Sequence, residues 1–132
     1  MAQVINPVAF SSMPKPILLK FLFSDTNETL EYGLAPETMT IKFPYHDSHT
    51  PIPVRIDATF PAGETSILQA SLVNVWGAEL RQISSGHAFI KMHHGSDGRC
   101  TVRCPRTGAE LTGVNPCLLC PTSSGDVLEL CC

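Results

Sequence analysis

The chain has 132 residues and 43% of them are hydrophobic, so it is long enough for one folded domain with a core, with or without a small appended module. Only 16% of the residues are charged, which excludes the highly charged and weakly hydrophobic class of disordered proteins. The net charge of −3, without a basic cluster, argues against nucleic-acid binding through the phosphate backbone.

The first residues predict an extended arm rather than a helix. Residues 1–16 contain three prolines, which disfavour helical backbone. They show no basic stretch followed by an apolar core, so they do not resemble a secretory signal. The longest apolar run, residues 17–23, is interrupted by a lysine and is too short to span a membrane. The sequence therefore predicts synthesis in the cytoplasm and no membrane contact.

Residues 17–99 predict a small antiparallel β-domain, of β-sandwich type. Residues 17–23 are rich in apolar and aromatic residues and end in turn formers, and residues 29–32 predict the hairpin partner of that strand. Apolar and polar residues alternate over 38–43 and again over 54–60, which is typical of half-buried strands.

The second half of this domain is less uniform. Residues 66–76 fit either a strand or a helix, and their β-branched valines favour a strand. Residues 78–85 predict one short helix that ends at a glycine. Residues 87–93 alternate as a strand, and a turn at 95–98 predicts an antiparallel partner over 100–104.

All six cysteines lie within residues 100–132. This segment predicts a C-terminal Cys-rich module, because so short a segment needs a metal or disulfides to fold. The spacing is Cys100-x3-Cys104-x12-Cys117-x2-Cys120-x10-Cys131-Cys132. The predicted organisation is thus an arm (1–16), a β-domain (17–99) and the cysteine module (100–132).

The cysteine spacing favours a structural zinc site. The pair Cys117-Leu-Leu-Cys120 is typical of a turn that presents two thiolates to one metal ion, and a reducing cytoplasm favours metal ligation over disulfides. A zinc ion held by four thiolates has no open position for water or substrate, so the site predicts a stabilising role and no enzymatic activity. The predicted ligands are Cys104, Cys117, Cys120 and Cys131, with Cys100 or Cys132 as substitutes.

Two alternatives for the cysteines stay open. An iron–sulfur cluster also takes four thiolates. Disulfides would form after release into an oxidising medium, and Cys131 or Cys132 would then be able to cross-link to another chain. The histidines are weaker candidate ligands: His46 and His49 read as a polar loop, and the His93–His94 pair as part of a turn.

Three segments resemble minor tail and baseplate proteins of tailed bacteriophages. They are residues 37–43 (ETMTIKF), 51–56 (PIPVRI) and 66–75 (SILQASLVNV), followed by a short helix and a strand, so the resemblance covers residues 37–92. In the lambda minor tail protein L family, a similar β-domain precedes a cysteine-bearing domain that binds a metal cluster. The family's ligands are not carried over, because the cysteine spacing here differs.

This resemblance implies a non-enzymatic structural protein of a phage tail, neck or baseplate, whose partners are other protein subunits. A low fraction of charged residues is typical of a subunit whose surface is covered by its neighbours. The alternative function is a cellular zinc-knuckle adaptor whose cysteine module docks a partner protein.

Overall fold

The computed structural model describes residues 15–44, 50–113 and 117–132. In these ranges the chain forms strands and no helix, which confirms the predicted mainly β fold. The strands are β1 (Leu18–Phe23), β2 (Glu28–Gly33), β3 (Met39–Lys42), β4 (Ile52–Thr59), β5 (Thr65–Ser84), β6 (His87–Arg103), β7 (Glu110–Gly113), β8 (Cys117–Pro121) and β9 (Val127–Cys131).

The strands join into one mixed sheet. Its hydrogen-bonded order is β2-β1-β4-β5-β6-β9-β8, with β3 beside β5 and β7 beside β6. The predicted hairpin of β1 and β2 is confirmed. The strand pairs of the described residues are antiparallel, as expected, except for β6 with β9. Strands β6 and β9 run parallel, because β7 and β8 lie between them in the sequence and return the chain to the same end.

The long strands β5 and β6 bend the sheet over itself. Their ladder is interrupted by register shifts between Val73 and Gly77, and Asn74 and Asp97 adopt positive φ angles of 54° and 65°. Such irregularities turn a strand and increase its twist. The bend divides the sheet into two layers. The first layer consists of β2, β1, β4, residues 65–73 of β5, residues 99–103 of β6, and β7. The second layer consists of β3, residues 77–84 of β5, residues 87–94 of β6, β9 and β8.

The core lies between the two layers. Both layers contribute to one buried cluster, and the same cluster continues into β8 and β9. Phe21 and Phe23 of the first layer both pack against the ring of Phe43, with centroids 5.4 and 5.5 Å apart. The largest side chains with under 2% exposure are Phe21, Phe23, Phe60, Ile17, Leu19, Ile56, Leu68, Leu80, Ile90, Met92, Leu128 and Leu130.

The short helix predicted over residues 78–85 is wrong. These residues continue β5, with Ala78 and Leu80 buried on one face and Arg81 exposed on the other. Leu80 is paired on both sides, with Met39 of β3 and Ile90 of β6. This two-sided pairing and burial outweigh the helix propensity of the Ala-Glu-Leu-Arg-Gln stretch.

The cysteine segment shares its sheet with the rest of the chain. Strand β6 runs from His87 to Arg103, across residue 99 where the sequence predicts the end of the β-domain. The predicted turn at residues 95–98 coincides with the bend inside β6, and residues 100–103 pair with β5 and β7 instead of folding back on residues 87–93. Residues 1–14 of the predicted arm lie outside the described residues.

Candidate functional site

The six cysteines form three pairs at disulfide distance. They are Cys100–Cys132, Cys104–Cys120 and Cys117–Cys131, with Cα–Cα distances of 6.2, 5.6 and 4.1 Å. No cysteine is left free, and all six belong to the described residues. The pairs match the disulfide alternative that the sequence left open.

Two of these disulfides join the two layers across the core. Cys100 and Cys104 lie in and directly after the part of β6 that belongs to the first layer. Their partners lie in the second layer, where Cys120 is in β8 and Cys132 directly follows β9. All four residues are buried, with at most 1% exposure. The two bonds therefore close one end of the bent sheet and are shielded from solvent.

A hydrogen bond supports the same closure. The Ser66 hydroxyl of β5 donates to the Cys120 carbonyl oxygen of β8 over 3.0 Å, although the two strands are not neighbours in the sheet order. Ser66 is one of two buried polar residues among those described, and this bond satisfies its hydroxyl. The contact fixes the end of the first layer on the second beside the Cys104–Cys120 bond.

The third disulfide lies on the outward face of the β8–β9 hairpin. Cys117 and Cys131 are directly opposite in the ladder, and Cys117 is exposed. Glu129, two residues before Cys131 and on the same face, places its Oε2 atom 3.8 Å from the Cys131 sulfur. The other carboxylate oxygen, Oε1, lies 2.8 Å from Nε2 of His87 on the neighbouring strand β6.

The predicted zinc ligands do not converge in this arrangement. Cys117 and Cys120 lie in a strand, not in the tight loop that their spacing predicts, and they point to opposite faces of it. Cys120 pairs with Cys104 in the core, whereas Cys117 pairs with Cys131 outside it. A site made of these four thiolates, with zinc or with an iron–sulfur cluster, stays a prediction from the sequence.

Sequence reasoning missed the two polar residues beside the outer disulfide. Glu129 and His87 are 42 positions apart in the chain, and only the parallel pairing of β6 with β9 brings them together. Alternation in β8, with Leu118 and Cys120 buried and Leu119 exposed, is the signal that would have placed its two cysteines on opposite faces.

The remaining histidine candidates have other surroundings. His93 lies in β6 and stacks on Trp76, with ring centroids 4.9 Å apart, while its Nε2 atom lies 3.1 Å from a carboxylate oxygen of Glu79. His46 and His49 lie outside the described residues. Among the described histidines, His87 and His93 therefore lie beside carboxylates, whereas Nδ1 of His94 lies 3.1 Å from the Gly95 carbonyl oxygen.

A carboxylate anchors the turn between β8 and β9. Glu64, in the turn before β5, accepts hydrogen bonds from the Ser123 hydroxyl and, over 3.1 Å, from the Ser124 backbone amide. Hydrogen bonding lowers the pKa of Glu64 from 4.5 to about 2. The largest effect comes from the Ser123 hydroxyl, followed by the Thr122 hydroxyl and the Ser124 backbone amide. The charged form of Glu64 thus ties the cysteine hairpin to the first layer.

This anchor predicts a pH-dependent contribution to stability. Because the pKa of Glu64 is lower in the folded chain, its contribution is complete above pH 4.5 and is lost as the pH falls towards about 2. We expect Glu64→Gln to melt at a slightly lower temperature than the wild type at neutral pH, and the difference to vanish at the acid end of that window. Thermal denaturation across the pH range checks this, with the exposed Glu37→Gln as the matched control. A difference that grows as the pH falls would contradict the assignment.

Comparisons with protein-family models, curated proteins and solved structures found no match to this chain. In the described ranges there is also no helix long and apolar enough to cross a membrane.

Proposed function

We propose that the protein is a non-enzymatic structural protein that serves as a subunit of an extracellular assembly, of the kind that forms the tail, neck or baseplate of a bacteriophage. The observation that carries this proposal is the disulfide lock, in which two buried bonds join the layers and a third fixes the β8–β9 hairpin. Disulfides persist in oxidising surroundings such as virion surfaces. A covalently closed β-fold suits a subunit that must keep its shape there.

The end of the sheet offers a place for a neighbouring subunit. Strand β8 stands at one end of the hydrogen-bonded order of the described strands, with β2 at the other, and terminal strands are sites where another chain adds a strand. Leu119, in the middle of β8, is 53% exposed on the outward face. The outer disulfide holds β8 against β9, so the strand is already ordered before a partner arrives. We infer that assembly contacts form along β8.

The experiment measures assembly of the oxidised chain. Size-exclusion chromatography with light scattering, followed by negative-stain electron microscopy, is expected to show concentration-dependent oligomers. Leu119→Lys should shift the population towards monomer without lowering the melting temperature, because a charge on an exposed position disturbs the contact and not the core. The control is Leu18→Lys on β1, which is 55% exposed but lies in the first layer. A chain that stays monomeric at every concentration, or equal effects of both variants, would contradict assembly through β8.

A further inference from the structure

The outer disulfide lies in a group of side chains that fits a metal ion. The sulfur atoms of Cys117 and Cys131 and a carboxylate oxygen of Glu129 all lie within 4.8 Å of one another. With Zn–S distances of about 2.3 Å and Zn–O distances of about 2.0–2.2 Å, the ligand atoms around a tetrahedral zinc ion lie about 3.5–3.8 Å apart. The separation of 3.8 Å between the Cys131 sulfur and Oε2 of Glu129 lies at the upper end of this range.

His87 holds the carboxylate in the orientation that such a site needs. Its Nε2 atom lies 2.8 Å from Oε1 of Glu129, and Oε2 is the oxygen that lies near the Cys131 sulfur. Carboxylate ligands of metal sites are commonly oriented by a second hydrogen-bonded residue, and loss of that residue weakens metal binding about 10- to 100-fold. His87 is therefore a positioning residue, and the ligands are the two sulfurs and Glu129.

The three disulfides differ in their access to a reductant. The four cysteines of the inter-layer bonds are at most 1% exposed. In the outer disulfide Cys131 is 5% exposed, but Cys117 is exposed on the outward face of β8 and offers its sulfur to a reductant. Thiol–disulfide exchange requires attack on a disulfide sulfur, so access decides which bond reacts first. A mild reductant would open Cys117–Cys131 while the two buried bonds keep the layers joined.

We propose that the Cys117–Cys131 disulfide is the oxidised state of a zinc-binding site, and that its reduction creates a Cys2Glu site with an open fourth position. In the reduction, a dithiol reductant gives two electrons and two protons and is itself oxidised to a disulfide, while the Cys117–Cys131 S–S bond breaks and two thiols form. On binding Zn²⁺ each thiol releases its proton to solvent, and two thiolates with one carboxylate surround the ion. The fourth position takes water or a donor atom from a neighbouring molecule. The site does not depend on the proposed assembly role.

Thiol counting and Co²⁺ spectroscopy test this proposal on the full chain. After mild reduction without denaturant, a thiol reagent should detect two thiols per chain, and with denaturant it should detect six. Co²⁺ added to the mildly reduced protein should produce a thiolate-to-cobalt charge-transfer band, which Zn²⁺ then removes by displacement. The oxidised protein should show no such band.

Variants separate this site from binding by thiols alone. Glu129→Gln and His87→Ala should each weaken Co²⁺ binding about 10- to 100-fold, and Asp126→Asn, in the turn of the same hairpin, should leave it unchanged. The double variant Cys117→Ser, Cys131→Ser should lose the band. Simultaneous release of all six thiols, the absence of a band after two thiols appear, or unchanged binding in Glu129→Gln would each overturn the proposal. Because Glu129→Gln keeps all cysteines, its result stands even if the double variant fails to fold.

Discussion

Replacement of Cys100 and Cys132 by alanine is expected to lower the free energy of unfolding of the oxidised protein by about 4 kcal/mol. The bond closes a loop with a sequence separation of 32, and the loop-entropy relation gives about 3.7 kcal/mol for that length. Both residues are buried at 0% and 1% exposure, so the truncated side chains also leave unfilled core volume. For a chain of this size the melting temperature should fall by about 10–20 °C. Denaturation in non-reducing buffer, followed by calorimetry or circular dichroism, measures the change.

The outer disulfide provides the matched control. Its sequence separation is 14, and its partners are already held together by the β8–β9 ladder. Cys117 is exposed and Cys131, although only 5% exposed, lies outside the buried core cluster, so the double alanine variant of this pair should lose less stability than the Cys100–Cys132 variant. Peptide mapping under non-reducing conditions verifies each pairing. Equal melting temperatures for the wild type and the Cys100→Ala, Cys132→Ala variant would show that the inter-layer bond does not form in solution.

The alternation of apolar and polar residues in the sequence predicted the strands that have one buried face and short turns at their ends. Strand β4 is an example, because its alternation of buried Val54 and Ile56 with exposed Arg55 is visible in the sequence and is read the same way in the structure. The hairpin of β1 and β2 follows from an apolar run and a turn in the same way. For such elements burial on one side is the dominant force, and the sequence carries that pattern directly.

The bend in the β5–β6 hairpin could not be predicted from the local sequence pattern. The bend, at Asn74 and Asp97, depends on the stacking of two layers, and nothing in the neighbouring residues distinguishes this bend from a chain reversal. The helix expected at residues 78–85 had favourable local propensity, but β6 pairs along this segment as far as Ser84, and β3 pairs with its residues 78–80 on the other edge. Tertiary pairing therefore decided the local structure.

The cysteine chemistry was predictable in location but not in pairing. Confinement of all six cysteines to residues 100–132 predicted a module held by a metal or by disulfides, with zinc favoured, and the structure has the disulfide-distance pairs of the alternative. The pairing depends on which strands lie next to each other, and the parallel contact of β6 with β9 requires a crossing that spacing does not reveal. The same parallel contact places His87 beside Glu129, so the sequence could not predict that these two residues lie next to the outer disulfide.

Replacement of Gly77 by alanine is expected to separate β3 from β5. Gly77 pairs with Lys42, and a Cβ atom added to it would overlap the carbonyl oxygen of Ile41 and lie 3.2 Å from the Lys42 Cα atom. Both obstacles are backbone atoms, so they cannot move aside as a flexible side chain would, and the ladder must open. Ile41 of β3 and Phe43, directly after it, pack in the core, and their displacement extends the damage beyond one hydrogen bond.

We expect Gly77→Ala to lower the free energy of unfolding by about 3 kcal/mol, at the upper end of the cost of overpacking a core. Urea denaturation measures this loss, and hydrogen exchange should show faster exchange at the β3 amides than elsewhere in the sheet. The control is Gly33→Ala in β2, where the nearest atom to an added Cβ is Pro16 Cβ at 3.6 Å, an ordinary contact. That variant should stay within about 0.5 kcal/mol of the wild type. If the two alanine variants unfold at the same urea concentration, β3 does not approach β5 as closely as this register requires.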